Sequence, residues 1–359
     1  MKNIPLAKPI IGSSERRAVN KVLRSGMLAQ GPKVAEFESA FSKHVQEKEC
    51  VAVNSGTSAL HVALLALGIG PGDEVIVPSF TFAATANSVA LTGAKPIFVD
   101  VDRRTFNIDP VKVELAITGK TKAIQVVHLY GLAADMVPIM ALAKKHNLLV
   151  IEDAAQAHLA TIGNQPVGTF GDAAAFSFYP TKNMTSGEGG MIVLNSSEAA
   201  RNCRLLRNQG MEARYQNEIV GFNLRMTDIH AAIGIEQLKK LPTWNEKRRF
   251  NANLLDKHIN ADVIPYVPDG FKHVYHQYTI SLSKNRDLVS EFLTKSGVGN
   301  GIYYPTQVHK LPAFNLSLEL EVTSNLINEV LSIPVHPSLT NRQIRYIADC
   351  VNEATEKFL

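Results

Sequence analysis

The chain reads as an α/β protein with one large domain on a mainly parallel seven-stranded sheet and a smaller α+β C-terminal domain. Three observations lead there. Short β-branched runs alternate with helix-period stretches from about Val51 to Leu194. A long helical stretch then gives way, at Pro242 and the charged run NEKRRF, to a different pattern. Beyond it, strand-like and turn-rich segments are closed by one more helix. At 359 residues the chain is too long for one small core, so residues 1–240 and 241–359 are expected as two domains.

The expected strands are VAVN, DEVIVP, KPIFVD, KAIQVVHL, LLVIED, AAAFSF and GGMIVL. Between them, SALHVALLALG ends at Gly68 and VPIMALAKKHN at the Asn147 turn, both with the apolar period of helices that pack on a sheet. TDIHAAIGIEQLKKL precedes the expected hinge, HQYTISL reads as a strand, GVGNGIYYPTQVHKLP as turns, and the last helix starts near Arg342.

Composition narrows the class. Hydrophobic residues make up 45% and charged residues 19%, the balance of a folded globular chain. A net charge of +4 is spread along the length. The basic groups Arg201/Arg204/Arg207 and Lys247/Arg248/Arg249 read as solvated helix faces, not a nucleic-acid surface. Cys50, Cys203 and Cys350 are odd in number and far apart, which points to reduced thiols. With no signal-like start and no bilayer-length apolar run, a cytoplasmic protein without membrane contact is expected. His273 and His276 lack any CxxC or HExxH companion, so no metal is expected.

Ligands of open parallel sheets bind beyond the carboxyl ends of the strands. Asp153 ends LLVIED and Lys182 follows AAAFSF, so both should face one crevice. Pyridoxal 5'-phosphate needs such a pair: an amine to hold its aldehyde and a carboxylate to keep its ring nitrogen protonated. Taken singly, a lysine in a polar turn is usually a solvated surface charge and an aspartate ending a strand a helix cap or surface partner; their joint placement favours the pair. VAVNSGTSALHVALLALG adds a strand, a small-residue turn and a helix start, where Gly56, Thr57 and Ser58 could cup a phosphate or simply cap the helix. Phe82 sits past another strand end, where it could stack on a ring or belong to the core.

Together, SGMLAQGPKVAEFE, NSGTSAL, GDEVIVPSFTFAATAN, VVHLYGLAADM, IEDAAQAH, SFYPTKN, GEGGM, GFNLRMTDIHAAIG, VYHQYTI and GIYYPTQVHKLPAF resemble the DegT/DnrJ/EryC1/StrS family of sugar aminotransferases, within fold type I of the pyridoxal-phosphate enzymes. The resemblance implies that Lys182 is the Schiff-base lysine, that Asp153 pairs with the ring nitrogen, and that Gln156 lies against the ring system. It puts Phe82 at the stacking position and Thr57, Ser58 and Ser177 at phosphate positions. It implies that Asn223 reaches the phosphate of a neighbouring subunit, hence a homodimer with shared active sites. Tyr304 and His309 match positions where the second subunit lines the substrate pocket; from the residues alone, they read equally as a core aromatic and a satisfied histidine.

Deoxygenating relatives carry histidine in place of the lysine, and this chain keeps Lys182, which favours transamination. KNMTSGEGGM has the spacing and EGG of relatives that act at C4 of a nucleotide-linked sugar, one residue shorter than the KxLGxxGDGG form of other branches. The expected reaction moves an amino group from glutamate to a nucleotide-linked keto sugar, 4-keto rather than 3-keto. Its amino sugar would enter surface polysaccharide, glycan or secondary-metabolite synthesis. The alternatives are a pyridoxal-phosphate dehydratase or amino-ring synthase on the same fold, or a noncatalytic ligand-sensing regulator.

Overall fold

A computed structural model describes residues 3–359. All seven expected runs form strands: β1 (Glu49–Val53), β2 (Glu74–Pro78), β3 (Lys95–Val99), β4 (Thr121–Val127), β5 (Leu149–Asp153), β6 (Ala173–Ser177) and β7 (Gly190–Leu194). They make one sheet in the order β1-β7-β6-β5-β4-β2-β3. Neighbours from β3 to β6 pair in parallel, and β7 is antiparallel to both β6 and β1. One reversed strand among seven leaves the carboxyl ends of the other six on one edge. Every residue of β6 and β7 is buried, as in sheets covered on both faces.

The helices begin and end where their side chains allow. Gly56–Ala66 starts on Ser55, whose Oγ accepts from Ser58 N at 3.1 Å. Met136–His146 starts on Asp135 and stops at Asn147 in the left-handed conformation. The final helix, Asn341–Phe358, carries a capping box of Thr340 and Gln343.

The expected interruption at Pro242 does not occur. Asp228–His258 is one helix of 31 residues with Pro242 inside it. Its first part packs on the helices Ser13–Ser25 and Pro32–Ser42, and the same helix also packs on Asn341–Phe358. Proline in a helix interior costs about 3 kcal/mol, and tertiary packing offsets that here. The division proposed at residue 240 therefore falls within a helix that both regions share. The C-terminal region has its own core, including Tyr278, Ile280, Leu331, Ile333 and Ile347, around the antiparallel pair Tyr278–Ser281 and Val330–Ile333. Sequence reading missed the small ribbon of Phe271–Lys272, Thr161–Ile162 and Gln165–Pro166, whose strands are two residues each.

Two arginines expected on solvated faces are buried. Arg207 donates to Glu38 Oε1 and to Ala52 O, both at 2.6 Å, and Arg248 donates to Tyr275 O at 3.0 Å. The guanidinium fork lets one residue tie several chain segments together. The three cysteines are free and buried. Among the described residues, no helix is long and apolar enough to cross a membrane.

Candidate active site

At the carboxyl edge of the sheet lies a cavity of about 550 Å³. The ends of β5 and β6, the start of the helix Gly56–Ala66 and the Phe82 loop all contribute to it. It collects Gly56, Thr57, Phe82, Asp153, Gln156, Ser177, Lys182 and Tyr304, so most of the expected residues converge.

Asp153 is buried, with Oδ2 accepting from Thr85 Oγ1 at 2.8 Å and Oδ1 from Ala155 N at 3.2 Å. Burial pushes its carboxyl above the usual aspartate value, against those two donors and the charge of Lys182. A carboxylate has about four acceptor positions, so two donors leave capacity facing the cavity. Burial lowers the Lys182 amine to about 8, while the Asp153 charge acts in the opposite direction. A good fraction of this amine is therefore neutral near physiological pH.

The phosphate cup rests on a close approach. A Cβ on Gly56 would meet Ser177 Cβ at 2.7 Å, so glycine lets the helix start sit against the end of β6. Ser58 N is used by Ser55 and Ala59 N by Ser55 O, which leaves the first-turn N–H groups of Gly56 and Thr57 for an anion beside the Ser177 hydroxyl. Ser58 itself is turned to other work: its hydroxyl donates to Asn54 Oδ1 at 2.7 Å, and it is not among the cavity residues. Gln156 is fixed at both ends, Oε1 accepting from Tyr130 N at 2.8 Å and Nε2 donating to Tyr304 Oη at 3.0 Å. The side chain of Phe82 is 58% exposed, with its ring centroid 6.0 Å from that of Tyr304.

The three residues expected to act between subunits lie in different places. Tyr304 lines the cavity of its own chain. His309 does not reach it: the residue is fully buried, with Nδ1 2.6 Å from Ser79 Oγ and Nε2 2.8 Å from Leu318 O. Both ring nitrogens are engaged, so His309 binds segments of its own chain together. Asn223 is exposed and lies outside the cavity of its own chain; its expected reach is to the phosphate of a neighbouring subunit.

Sequence reading missed several lining or supporting residues. Thr85 holds Asp153 and is braced by Thr81 at 3.1 Å, and Glu188 and His276 line the cavity. Burial, with help from the Lys182 and Arg248 charges, keeps the His276 ring uncharged. The EGG tripeptide flags Glu188 in the sequence, where His276 is weighed only as a metal ligand.

The buried carboxylate with spare capacity, the amine lowered toward neutrality and the small-residue cup fit pyridoxal 5'-phosphate in their donor chemistry. Over 353 residues the chain is 42% identical to a pleiotropic regulatory protein of Geobacillus stearothermophilus, covering 95% of this chain and 94% of that one. It is also 42% identical to a GDP-perosamine synthase of Caulobacter vibrioides, covering 96% of each. The crystal structure of S. venezuelae DesV in complex with a ketimine intermediate superposes with a TM-score of 0.94 at 35% identity, over 98% of this chain and 99% of that one. Pyridoxal 5'-phosphate is the family's cofactor. The model of the DegT/DnrJ/EryC1/StrS aminotransferase family matches residues 9–352, and with the site just described this makes the chain a member of that family and a pyridoxal-phosphate-dependent aminotransferase.

Proposed function

We propose that this aminotransferase moves the amino group of glutamate to C4 of a nucleotide-linked 4-keto sugar, as a cytoplasmic homodimer with shared active sites. The likeness that runs nearly end to end with the Caulobacter GDP-perosamine synthase carries the acceptor class. The short EGG loop after Lys182 supports C4 over C3.

When bound, the cofactor supplies an electron sink for the carbon that loses or gains a proton. The chain supplies the rest. Asp153, held by Thr85 and Ala155, keeps the ring nitrogen protonated. Gly56, Thr57 and Ser177, which line the cavity, would hold the phosphate, and Phe82 and Gln156 would bound the ring. Lys182 Nζ, neutral in good part near pH 8, takes the proton from Cα of glutamate and in the second half delivers one to the carbon bearing the new amine. The name of the Geobacillus relative favours a regulator, but a regulator has no need of a buried amine opposite a buried carboxylate.

Exposed apolar side chains support the dimer: Phe82 and Tyr179 among the cavity-lining residues, and Val220 and Phe222 beside exposed Asn223. Mixing inactive Lys182→Ala and Asn223→Ala chains should restore activity if sites are shared, because one site of each mixed dimer is then intact. For the reaction, the protein is incubated with the cofactor, glutamate and UDP-, dTDP- or GDP-linked 4-keto sugars, and products are read by mass and NMR. An amine at C4 is expected; an amine at C3 overturns the position, and no amine on any sugar overturns the acceptor class.

A further inference from the structure

We infer that Glu188 is the residue that reads the sugar ring, its carboxylate accepting hydrogen bonds from ring hydroxyls of the bound nucleotide sugar. This rests on the reading of the acceptor as a nucleotide-linked sugar. Three side chains with ordinarily ionised groups line the cavity: Asp153, Lys182 and Glu188. The first two have tasks on the cofactor. Glu188 has none, and its carboxylate makes no hydrogen bond or ion pair among the described residues; only its backbone carbonyl is engaged.

The loop that presents it is held firmly. Ser186 Oγ donates to Glu188 O at 2.6 Å, Gly187 N to Thr185 Oγ1 at 2.9 Å, Ser186 N to Phe178 O at 3.0 Å, and Phe178 N to Gly189 O at 2.9 Å. Gly189 sits at φ +153°, where a Cβ would fall 2.6 Å from Ser186 Oγ. Glycine adopts this conformation freely and brings no side chain into the close approach, so the loop can pass tightly beside Ser186.

Chemistry selects the partner. Glutamate and 2-oxoglutarate bring two carboxylates, which Glu188 repels, and the amine of glutamate is consumed at the cofactor. A nucleoside diphosphate is anionic as well. The sugar ring is what remains, and its hydroxyls can donate to a carboxylate, which only accepts. Lost hydrogen bonds to a charged group cost about tenfold or more in affinity.

The test uses the dimeric protein loaded with cofactor and titration calorimetry. Three pairs are compared: GDP-mannose with GDP, dTDP-glucose with dTDP, and UDP-N-acetylglucosamine with UDP. Glu188→Ala should weaken the preferred sugar nucleotide by about tenfold and leave its bare nucleotide unchanged, with Glu188→Gln in between. Equal affinity of the wild type and Glu188→Ala for the sugar nucleotide overturns the inference. So does an equal loss on the bare nucleotide, or dissociation of the dimer, which would assign Glu188 to a subunit contact. Failure of the wild type to bind any of the three pairs instead overturns the acceptor class itself.

Discussion

Two carboxylates stand side by side at the end of β5, and the regions they face have opposite fates. Glu152 is fully buried in a polar socket, where Oε1 accepts from Phe170 N and Gly171 N at 2.8 and 2.9 Å. Its Oε2 accepts from Gly168 N at 2.7 Å and from the Nε2–H of His128 at 3.0 Å. The His128 tautomer follows from Nδ1, which accepts from Ala134 N at 3.0 Å. Asp153 is one residue on, faces the cavity, and has two donors with room for more. The same group type builds structure where its acceptor positions are filled and a site where they are left open.

That contrast can be broken from the site side first. Lys182→Ala should lower turnover at least about a thousandfold and abolish retention of the yellow cofactor through gel filtration, with unchanged circular dichroism. Asp153→Asn should cost about two orders of magnitude in kcat, the scale of one removed transition-state charge contact. Normal kcat in either variant would mean that the cavity is not the reaction centre.

From the socket side, Glu152→Ala strands three backbone N–H groups and a histidine. It should destabilise the fold by about 3 kcal/mol or more, read by urea unfolding of the cofactor-free protein. Asp153→Asn should do the reverse in that form. The Asp153 carboxyl has a folded pKa above the ordinary 3.8, so its ionised form is disfavoured on folding, and stability is lost as pH rises from about that value through the folded pKa. The variant removes this penalty at neutral pH and should match the wild type below pH 4. His309→Ala, which opens a satisfied junction with Ser79 and Leu318, should cost about 2 kcal/mol and leave KM for both substrates unchanged. A large KM rise would return His309 to the substrate pocket.

How much of this was legible in advance follows the same division. The sheet was legible because β-branched runs such as LVIED and EVIVP are local signals, and strand-end placement of Asp153 and Lys182 follows from parallel pairing alone. Tertiary overrides were not. Nothing local says that Pro242 continues a helix or that Arg207 and Arg248 turn inward, because packing across the chain decides both. Thr85 braces Asp153 from 68 residues away, and no spacing rule reaches that far. Matching family motifs brought His309 forward with its neighbours, yet its two hydrogen bonds turn it into the interior.

The smallest effect tests whether the two carboxylates differ in reach as well as in bonding. Lys182 sits at about 8 because burial outweighs the Asp153 charge, which alone among its neighbours raises it. Only the neutral amine captures the cofactor aldehyde, so the uptake rate of cofactor-free protein should climb with pH and level off above about 8. Removing the Asp153 charge leaves desolvation unopposed, and Asp153→Asn should move the midpoint to lower pH. Glu152→Gln keeps one of the two accepting oxygens, and because the side chain lies on the far face of the strand it should leave the midpoint in place. Stopped-flow absorbance of cofactor uptake resolves both. An unmoved midpoint in Asp153→Asn would mean that the amine and the carboxylate do not sense one another across the cavity.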